Sequence, residues 1–310
     1  NEDEYKKITD ILSTLSKEPI NTEWLLETTE KFCKDRAIHN AILGGIQIID
    51  GKDKTHTPEY LPELLSGALS VSFDQKVGHD YLLESQQRYD FYKKKEERLE
   101  LDLDFFNKIT RGGIPSKTLN ICLAGTGVGK TMFMTHLASS VLLQGKNVLY
   151  ITMEMAEERI AERIDANLLN VGMSDLEELP YSMYETKINK LQSKTTGKLI
   201  IKEYPTASAH TGHFKNLLSE LAMKKSFKPD IMFVDYLNIC ASARFKAGAN
   251  VNSYTYIKSI AEELRGLAVE IDVPIFSATQ TTRGGFVSSD VGLEDTSESF
   301  GLPATADFMF

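Results

Sequence analysis

Over the first 49 residues, apolar positions recur at helical spacing. Ile8, Ile11, Leu12 and Leu15 share one face. A second helix is expected from about Thr22 to Leu43, with Asn21 as its N-cap; the pair Gly44-Gly45 weakens or ends it. Trp24 reads as a packing residue of this region. The polar stretch GKDKTHTP then predicts a loop. From Pro58 a short helix carries Leu61, Leu64, Leu65, Ala68 and Leu69 as a continuous apolar stripe. Such a stripe has to be covered by its own domain or by a neighbouring copy. Residues 79–98 follow as a charged helix ending in KKKEER, read as a solvated face.

From Leu101 the pattern changes to apolar runs alternating with amphipathic stretches. Strands are expected over Leu119–Ala124, Asn147–Thr152, Lys198–Glu203, Ile231–Asp235, Pro274–Ala278 and Ala304–Phe310. Helices are expected over Lys130–Gln144, Glu157–Leu169, Thr186–Gln192, Gly212–Lys225 and Ser253–Ile271. This alternation predicts an α/β fold with a mainly parallel twisted sheet covered on both faces. The chain divides into a partial helical N-terminal domain (1–49), a linker with an amphipathic helix (50–100) and an α/β domain (101–310). The last expected strand coincides with the last residue, as in a chain cut short.

Composition narrows the class. A chain of 310 residues with 42% hydrophobic and 25% charged residues is ordinary for a globular protein. No apolar run approaches the roughly 18 residues of a membrane span, and NEDEYKKITD is not a signal peptide, so a cytoplasmic location is expected. Cys33, Cys122 and Cys240 show no CxxC spacing and read as free thiols in a reducing compartment. The net charge of −9 argues against a broad basic surface for duplex DNA. It leaves open a strand held by a few channel-lining loops.

The strongest chemical signal is Ala124-Gly125-Thr126-Gly127-Val128-Gly129-Lys130-Thr131, placed between an apolar strand and a helix. Glycines let the backbone of Gly125, Thr126, Gly127, Val128 and Gly129 wrap closely, with N–H groups aimed at phosphate oxygens. The helix N-terminus adds positive charge. Lys130 reaches the β- and γ-phosphates, and the Thr131 hydroxyl ligates Mg²⁺. The strict pattern has glycine where Ala124 stands.

Three further positions say what the nucleotide is for. Asp235 ends an apolar strand, where a parallel sheet binds its ligands, and is the candidate for the Mg²⁺ shell. Glu154 follows the strand after the phosphate-loop helix; if that strand lies next to the phosphate-loop strand, Glu154 faces the γ-phosphate and activates water. Gln280 ends the next-to-last strand as a candidate γ-phosphate sensor. Lys130, Glu154, Asp235 and Gln280, in this order, form the arrangement of RecA-like motors rather than of a nucleotide kinase, which needs a lid and arginines at its phosphates. Two loops follow these strand ends: Ala241–Asn252, with Arg244 and Lys246, and Thr281–Glu294, with Arg283, Gly284, Gly285 and Phe286. Both are candidates for tracking a DNA backbone. His210 and His213 form an HxxH without a third ligand and read as a surface loop.

The segments GTGVGKT, LYITMEM, IMFVDYL and FSATQ, together with SSDVGLEDTSESFGLPATADFMF, resemble the DnaB-type replicative helicases, above all those of T-even-like phages. The resemblance runs from about Ser72 to Phe310. It implies a RecA-like P-loop ATPase, assembled as a homohexameric ring with ATP between subunits, that unwinds DNA in the 5′→3′ direction. Carried over by position, Lys130 and Thr131 bind phosphate and Mg²⁺, Glu154 is the catalytic base, Asp235 the second Mg²⁺ residue and Gln280 the sensor. Arg283 matches a basic residue found shortly after the sensor. The loop around Asp295, Ser297, Glu298 and Ser299 matches the DNA-contacting loop, although Ser297 and Phe300 stand where a basic residue and a glycine are frequent. The family's arginine finger and a nearby lysine lie after the last strand, so these 310 residues are expected to bind nucleotide but hydrolyse it poorly. Expected partners are single-stranded DNA, further copies of the chain, and a primase and helicase loader whose identity the sequence does not give. Two alternatives stand beside the helicase. One is a RecA-family recombinase or regulatory ATPase that binds DNA without unwinding, and the other is a non-catalytic assembly module.

Overall fold

The computed structural model describes residues 22–53, 55–72, 78–94, 97–245, 251–282, 292, 296 and 301–310. They belong to two compact units, 1–94 and 95–310. The expected helix around Ile8–Leu15 and the side chain of Trp24 lie outside the described residues.

In the first unit, α1 (Thr22–Ile49) continues straight through Gly44-Gly45, where the sequence suggested a weakening or an end. Packing is the reason. A Cβ on Gly45 would stand 3.0 Å from Leu61 Cδ2, and one on Gly44 3.5 Å from Leu64 Cδ2. The glycines therefore cost helix propensity of about 1 kcal/mol each but admit the leucines of α2 (Leu61–Leu69) against the backbone. The stripe of α2 is only partly covered this way: Ala68 is buried, while Leu65 and Leu69 stay exposed. A shorter helix, α3 (Ser85–Lys93), occupies part of the expected charged stretch.

The second unit opens with an antiparallel pair, β1 (Arg98–Leu99) and β2 (Ile114–Pro115), flanking α4 (Asp104–Ile109). Then come β3 (Leu119–Ala124), α5 (Lys130–Leu143), β4 (Val148–Thr152), α6 (Glu157–Leu169), α7 (Met173–Leu176), α8 (Tyr181–Gln192) and β5 (Leu199–Glu203). The chain continues through α9 (Thr211–Lys225), β6 (Ile231–Asp235), α10 (Ser253–Ile271), β7 (Ile275–Gln280) and β8 (Phe308–Met309). The long periodic helices fall where the apolar spacing put them. The last strand is shorter than expected, because residues 301–305 form turns. The single-turn α7 is too short to show a period.

Six strands form one parallel sheet in the order β5-β4-β6-β7-β3-β8. Alternate strand residues feed two cores. Leu149, Ile151, Met232, Val234 and Ile275 pack with Phe214, Ile260 and Leu264 of α9 and α10. Val148, Tyr150, Ile231, Phe233 and Phe276 pack with Met134, Leu137 and Ile160 of α5 and α6. This period-two division is what a sheet buried on both faces requires. The ring of Phe276 is fully buried. It lies 5.8 Å from Phe233, 6.1 Å from Phe133 and 6.1 Å from Phe310, tying β6, β7, α5 and the last residues together. Phe276→Ala is expected to lower unfolding free energy by about 3–5 kcal/mol, as for other buried aromatics. Urea unfolding measures it, and a loss under about 1 kcal/mol would show that the sheet does not depend on this cluster.

Candidate active site

The turn after β3 takes the shape that its glycines permit. Gly127 (φ +76°) and Gly129 (φ +112°) sit in the left-handed region, where a side chain is strained. Ala124 is not in that region. It is the last residue of β3 and pairs in register with Gln280 of β7, so a methyl group fits where the strict motif has glycine. Gly125 is buried, while Thr126, Gly127 and Val128 are exposed and present the outer rim of the loop. Lys130 opens α5 and is buried; its Nζ donates to the carbonyls of Gly125 (3.0 Å) and Ala124 (3.5 Å), which places its charge across the loop.

Asp235 ends β6 with no exposed surface. Its Oδ2 accepts from the hydroxyl of Tyr150, a fully buried residue of β4, at 2.9 Å. Its Oδ1 has no hydrogen-bond partner among the described residues. Burial pushes the carboxyl above the usual carboxylate range, and the hydroxyls of Tyr150 and Thr131 and the charges of Lys130 and Arg163 act against that rise. A buried acid with one unsatisfied oxygen, beside the Thr131 hydroxyl, offers oxygen donors suited to a hard divalent cation.

Glu154 reaches the same place by a route different from the one expected. The strand β4 does not adjoin β3; β6 and β7 stand between them. Instead β4 adjoins β6, and Thr152 pairs in register with Asp235. The turn after Thr152 is pinned: the Thr152 hydroxyl donates to Met155 O (2.8 Å) and accepts from Met155 N (3.2 Å). The Met153 N–H donates to Asp235 O (2.9 Å). Glu154 has an exposed surface at this turn, but the strand ends beside it desolvate its carboxyl in part; that partial desolvation first and the Asp235 charge next raise it, with Lys130 and Arg163 lowering it. Glu154, Asp235, Lys130 and Arg163 thus act on one another through their charges. Arg163 of α6 was not singled out from the sequence; an arginine on a helix with several charges gives no signal until the fold shows which acids it faces.

Gln280 stands at the end of β7, between the strands of the phosphate loop and Asp235. Its Nε2 donates to the hydroxyl of Tyr236 (3.1 Å), and the Tyr236 ring centroid lies 5.8 Å from Lys130 Nζ. Thr279 Oγ1 donates to Asn238 Oδ1 (2.8 Å), and Ser277 Oγ to Val234 O (2.6 Å). Side chains therefore tie the ends of β6 and β7 together. Tyr236 and Asn238 went unnoticed in the sequence, although adjacency to Asp235 was a signal for the first.

Of the loop residues, Arg244 is described and lies in ion pairs with Glu262 and Glu263. Lys246, Arg283, Gly284, Ser297 and Glu298 lie outside the described residues, as do Asp295, Ser299 and Phe300. His210 and His213 are not surface-loop residues but cap α9: the Gly212 N–H donates to His210 Nδ1 (3.0 Å) and the His210 N–H to His213 Nδ1 (3.3 Å). No cluster of three or more metal-ligating side chains of the His/Cys/Asp/Glu type occurs among the described residues, nor does a helix long and apolar enough to cross a membrane. Cys240 is buried, and burial pushes the Cys122 thiol up to about 11.

Residues 99–290 match the family of DnaB-like helicase C-terminal domains. The chain is 43% identical over 319 residues to a DnaB-like replicative helicase of Enterobacteria phage T4, covering 99% of this chain and 67% of that relative. Among solved structures, a DnaB-like replicative helicase, described with its interactions with primase, superposes with a TM-score of 0.61 at 17% identity, over 91% of this chain and 66% of that one. A second solved structure, of an ATPase domain, gives 0.59 at 18% identity, over 74% of this chain and 83% of that one. At such identities the likeness shows the shared RecA-like α/β fold. The chain spans about two thirds of the phage relative's length.

Because burial raises the Asp235 carboxyl, the folded state holds its proton more tightly than the unfolded chain. The ionised group therefore costs stability, and that cost develops as pH rises from the ordinary 3.8 through the raised value. Asp235→Asn is expected to raise Tm by about 2–4 °C at neutral pH without divalent cation. A lower Tm in calorimetry would show that the charge is compensated in the fold.

Proposed function

The chain belongs to the DnaB-like helicases, and from that membership we propose that it is an ATP-hydrolysing motor that unwinds DNA at the replication fork. It works as a homohexameric ring moving 5′→3′ on single-stranded DNA, in the cytoplasm (that of a bacterial host if the chain is phage-encoded), with primase and a loader as partners. The observation that supports this reading best is the convergence of Lys130, Asp235 and Glu154 at the C-terminal ends of the inner strands, with Gln280 on the strand between β3 and β6.

In this reading Gly125, Thr126, Gly127, Val128 and Gly129 wrap the phosphates with backbone N–H groups, and Lys130 swings from the loop carbonyls to the β- and γ-phosphates. Thr131 and Asp235 would hold Mg²⁺, which would supply positive charge to the phosphoryl oxygens. The unsatisfied Asp235 oxygen fits that role. Glu154 accepts the proton of the attacking water; its raised affinity for a proton suits a general base better than an ordinary surface glutamate. Gln280 registers the terminal phosphate, and its bond to Tyr236 makes that event felt at the neighbouring strand end. Arg244, Lys246, Arg283, Gly284, Ser297 and Glu298 belong to loops that contact the strand without reading its bases.

In the full-length protein, Glu154→Gln is expected to bind nucleotide within about threefold of wild type while DNA-stimulated turnover falls by at least ~10²-fold. In parallel, wild type should unwind a fork carrying a 5′ tail and the variant should not. Surviving turnover would place the base elsewhere, and unwinding that needs only a 3′ tail would reverse the direction.

The pH profile gives a second check. Turnover requires Glu154 deprotonated, and its carboxyl is raised, so the acid limb of kcat should fall at a pH above 4.5. Arg163 favours the charged form, so Arg163→Gln should move that limb further up. A limb that stays in place in this variant would separate Arg163 from the reaction.

A further inference from the structure

We infer that Glu263 is a positioning residue that anchors the loop following Asp235, and that its neighbour Glu262 holds Arg244 of that loop back from the strand. The inference rests on the reading of 241–252 as a strand-contacting loop.

Glu263 lies on α10, with its side chain only 8% exposed. A buried carboxylate demands donors. Ser242 Oγ donates to Oε1 at 2.5 Å, the Ala243 N–H donates to both oxygens (3.1 and 2.9 Å), and Thr211 Oγ1 donates to Oε2 at 3.4 Å. Arg244 Nε stands 4.0 Å from Oε1. One side chain therefore gathers the root of the loop, the start of α9 and the middle of α10. The root is held from other sides too: the Ser242 N–H donates to Tyr256 Oη (3.2 Å), and the Ala241 N–H to Ala209 O (2.8 Å). A few residues upstream, Asp235 ends the strand from which this loop departs.

Glu262 does the opposite with the next residue of the loop. It is more open to solvent, and it takes the Arg244 guanidinium in an ion pair. Arg244 is about half exposed there, so a phosphate approaching the loop competes with a surface carboxylate. Glu263 fixes the backbone from which Arg244 projects; Glu262 occupies the guanidinium until a strand displaces it. Two adjacent acids thus act with opposite sign on one binding event.

The test measures affinity for fluorescein-labelled oligo-dT by anisotropy, with Mg²⁺ and a non-hydrolysable ATP analogue, and affinity for a fluorescent ATP analogue in parallel. Glu263→Gln should weaken oligo-dT binding about tenfold and change nucleotide affinity less than about twofold. Glu262→Gln should tighten oligo-dT binding about two- to fivefold, the scale of an exposed ion pair. Arg244→Ala should weaken it, which calibrates the loop. If Glu263→Gln does not fold, Ser242→Ala removes one donor and should give a smaller shift in the same direction. The anchor is overturned if Arg244→Ala weakens oligo-dT binding while Glu263→Gln, or Ser242→Ala in its place, leaves it unchanged. It is overturned equally if both acids shift binding the same way, or if nucleotide affinity falls with DNA affinity. No effect from Arg244→Ala would remove the strand-contacting role of the loop, and the anchor with it.

Discussion

The arrangement depends on keeping one carboxylate, Asp235, out of water at the end of a parallel sheet. Full burial of a charge costs several kcal/mol unless opposite charge and donors surround it. The neighbouring elements supply that surrounding: the Tyr150 hydroxyl from β4, Lys130 from the start of α5, and the more distant charge of Arg163 from α6. The arrangement satisfies one oxygen and leaves the other without a hydrogen-bond partner among the described residues. Strand order follows the same logic, since β4 adjoins β6 and brings both Tyr150 and the Glu154 turn to the acid.

Placing β7 between the strands of the phosphate loop and of Asp235 has a consequence for signalling. Gln280 lies in register with Ala124 on one side and bonds Tyr236 on the other. A change at the turn after β3 would therefore meet, within one strand width, Gln280 and the Tyr236 side chain that follows Asp235. Thr279–Asn238 and Ser277–Val234 reinforce the link. Packed strand ends joined by short hydrogen bonds shift together more readily than independent loops.

Much of this was legible in the sequence because it is periodic or local. The phosphate loop announces itself by glycines between a strand and a helix, and α6 and α10 by unbroken apolar spacing. What the sequence hid is what depends on long-range adjacency. The conditional placement of β4 beside β3 came from chain order, whereas the sheet inserts two later strands between them. Gly44-Gly45 looked like a helix end because propensity is local, while the reason for the glycines is a pair of leucines from another helix. His210 and His213 looked like loop residues for the same reason, since histidine is an uncommon cap. Tyr150 was one aromatic in an apolar strand until Asp235 was placed against it.

Charge connects the nucleotide site to the loop that leaves it. A chain with net charge −9 offers no general attraction to a polyanion, so affinity for a strand has to come from few cations in defined positions. Under the proposed reading Arg244 is such a cation; it projects from a loop root held by a buried acid and pairs with a more exposed one. The root of that loop lies a few residues from Asp235, the buried acid that ends β6, so the two acids that hold Arg244 and the acid of the candidate site are joined by one short stretch of chain.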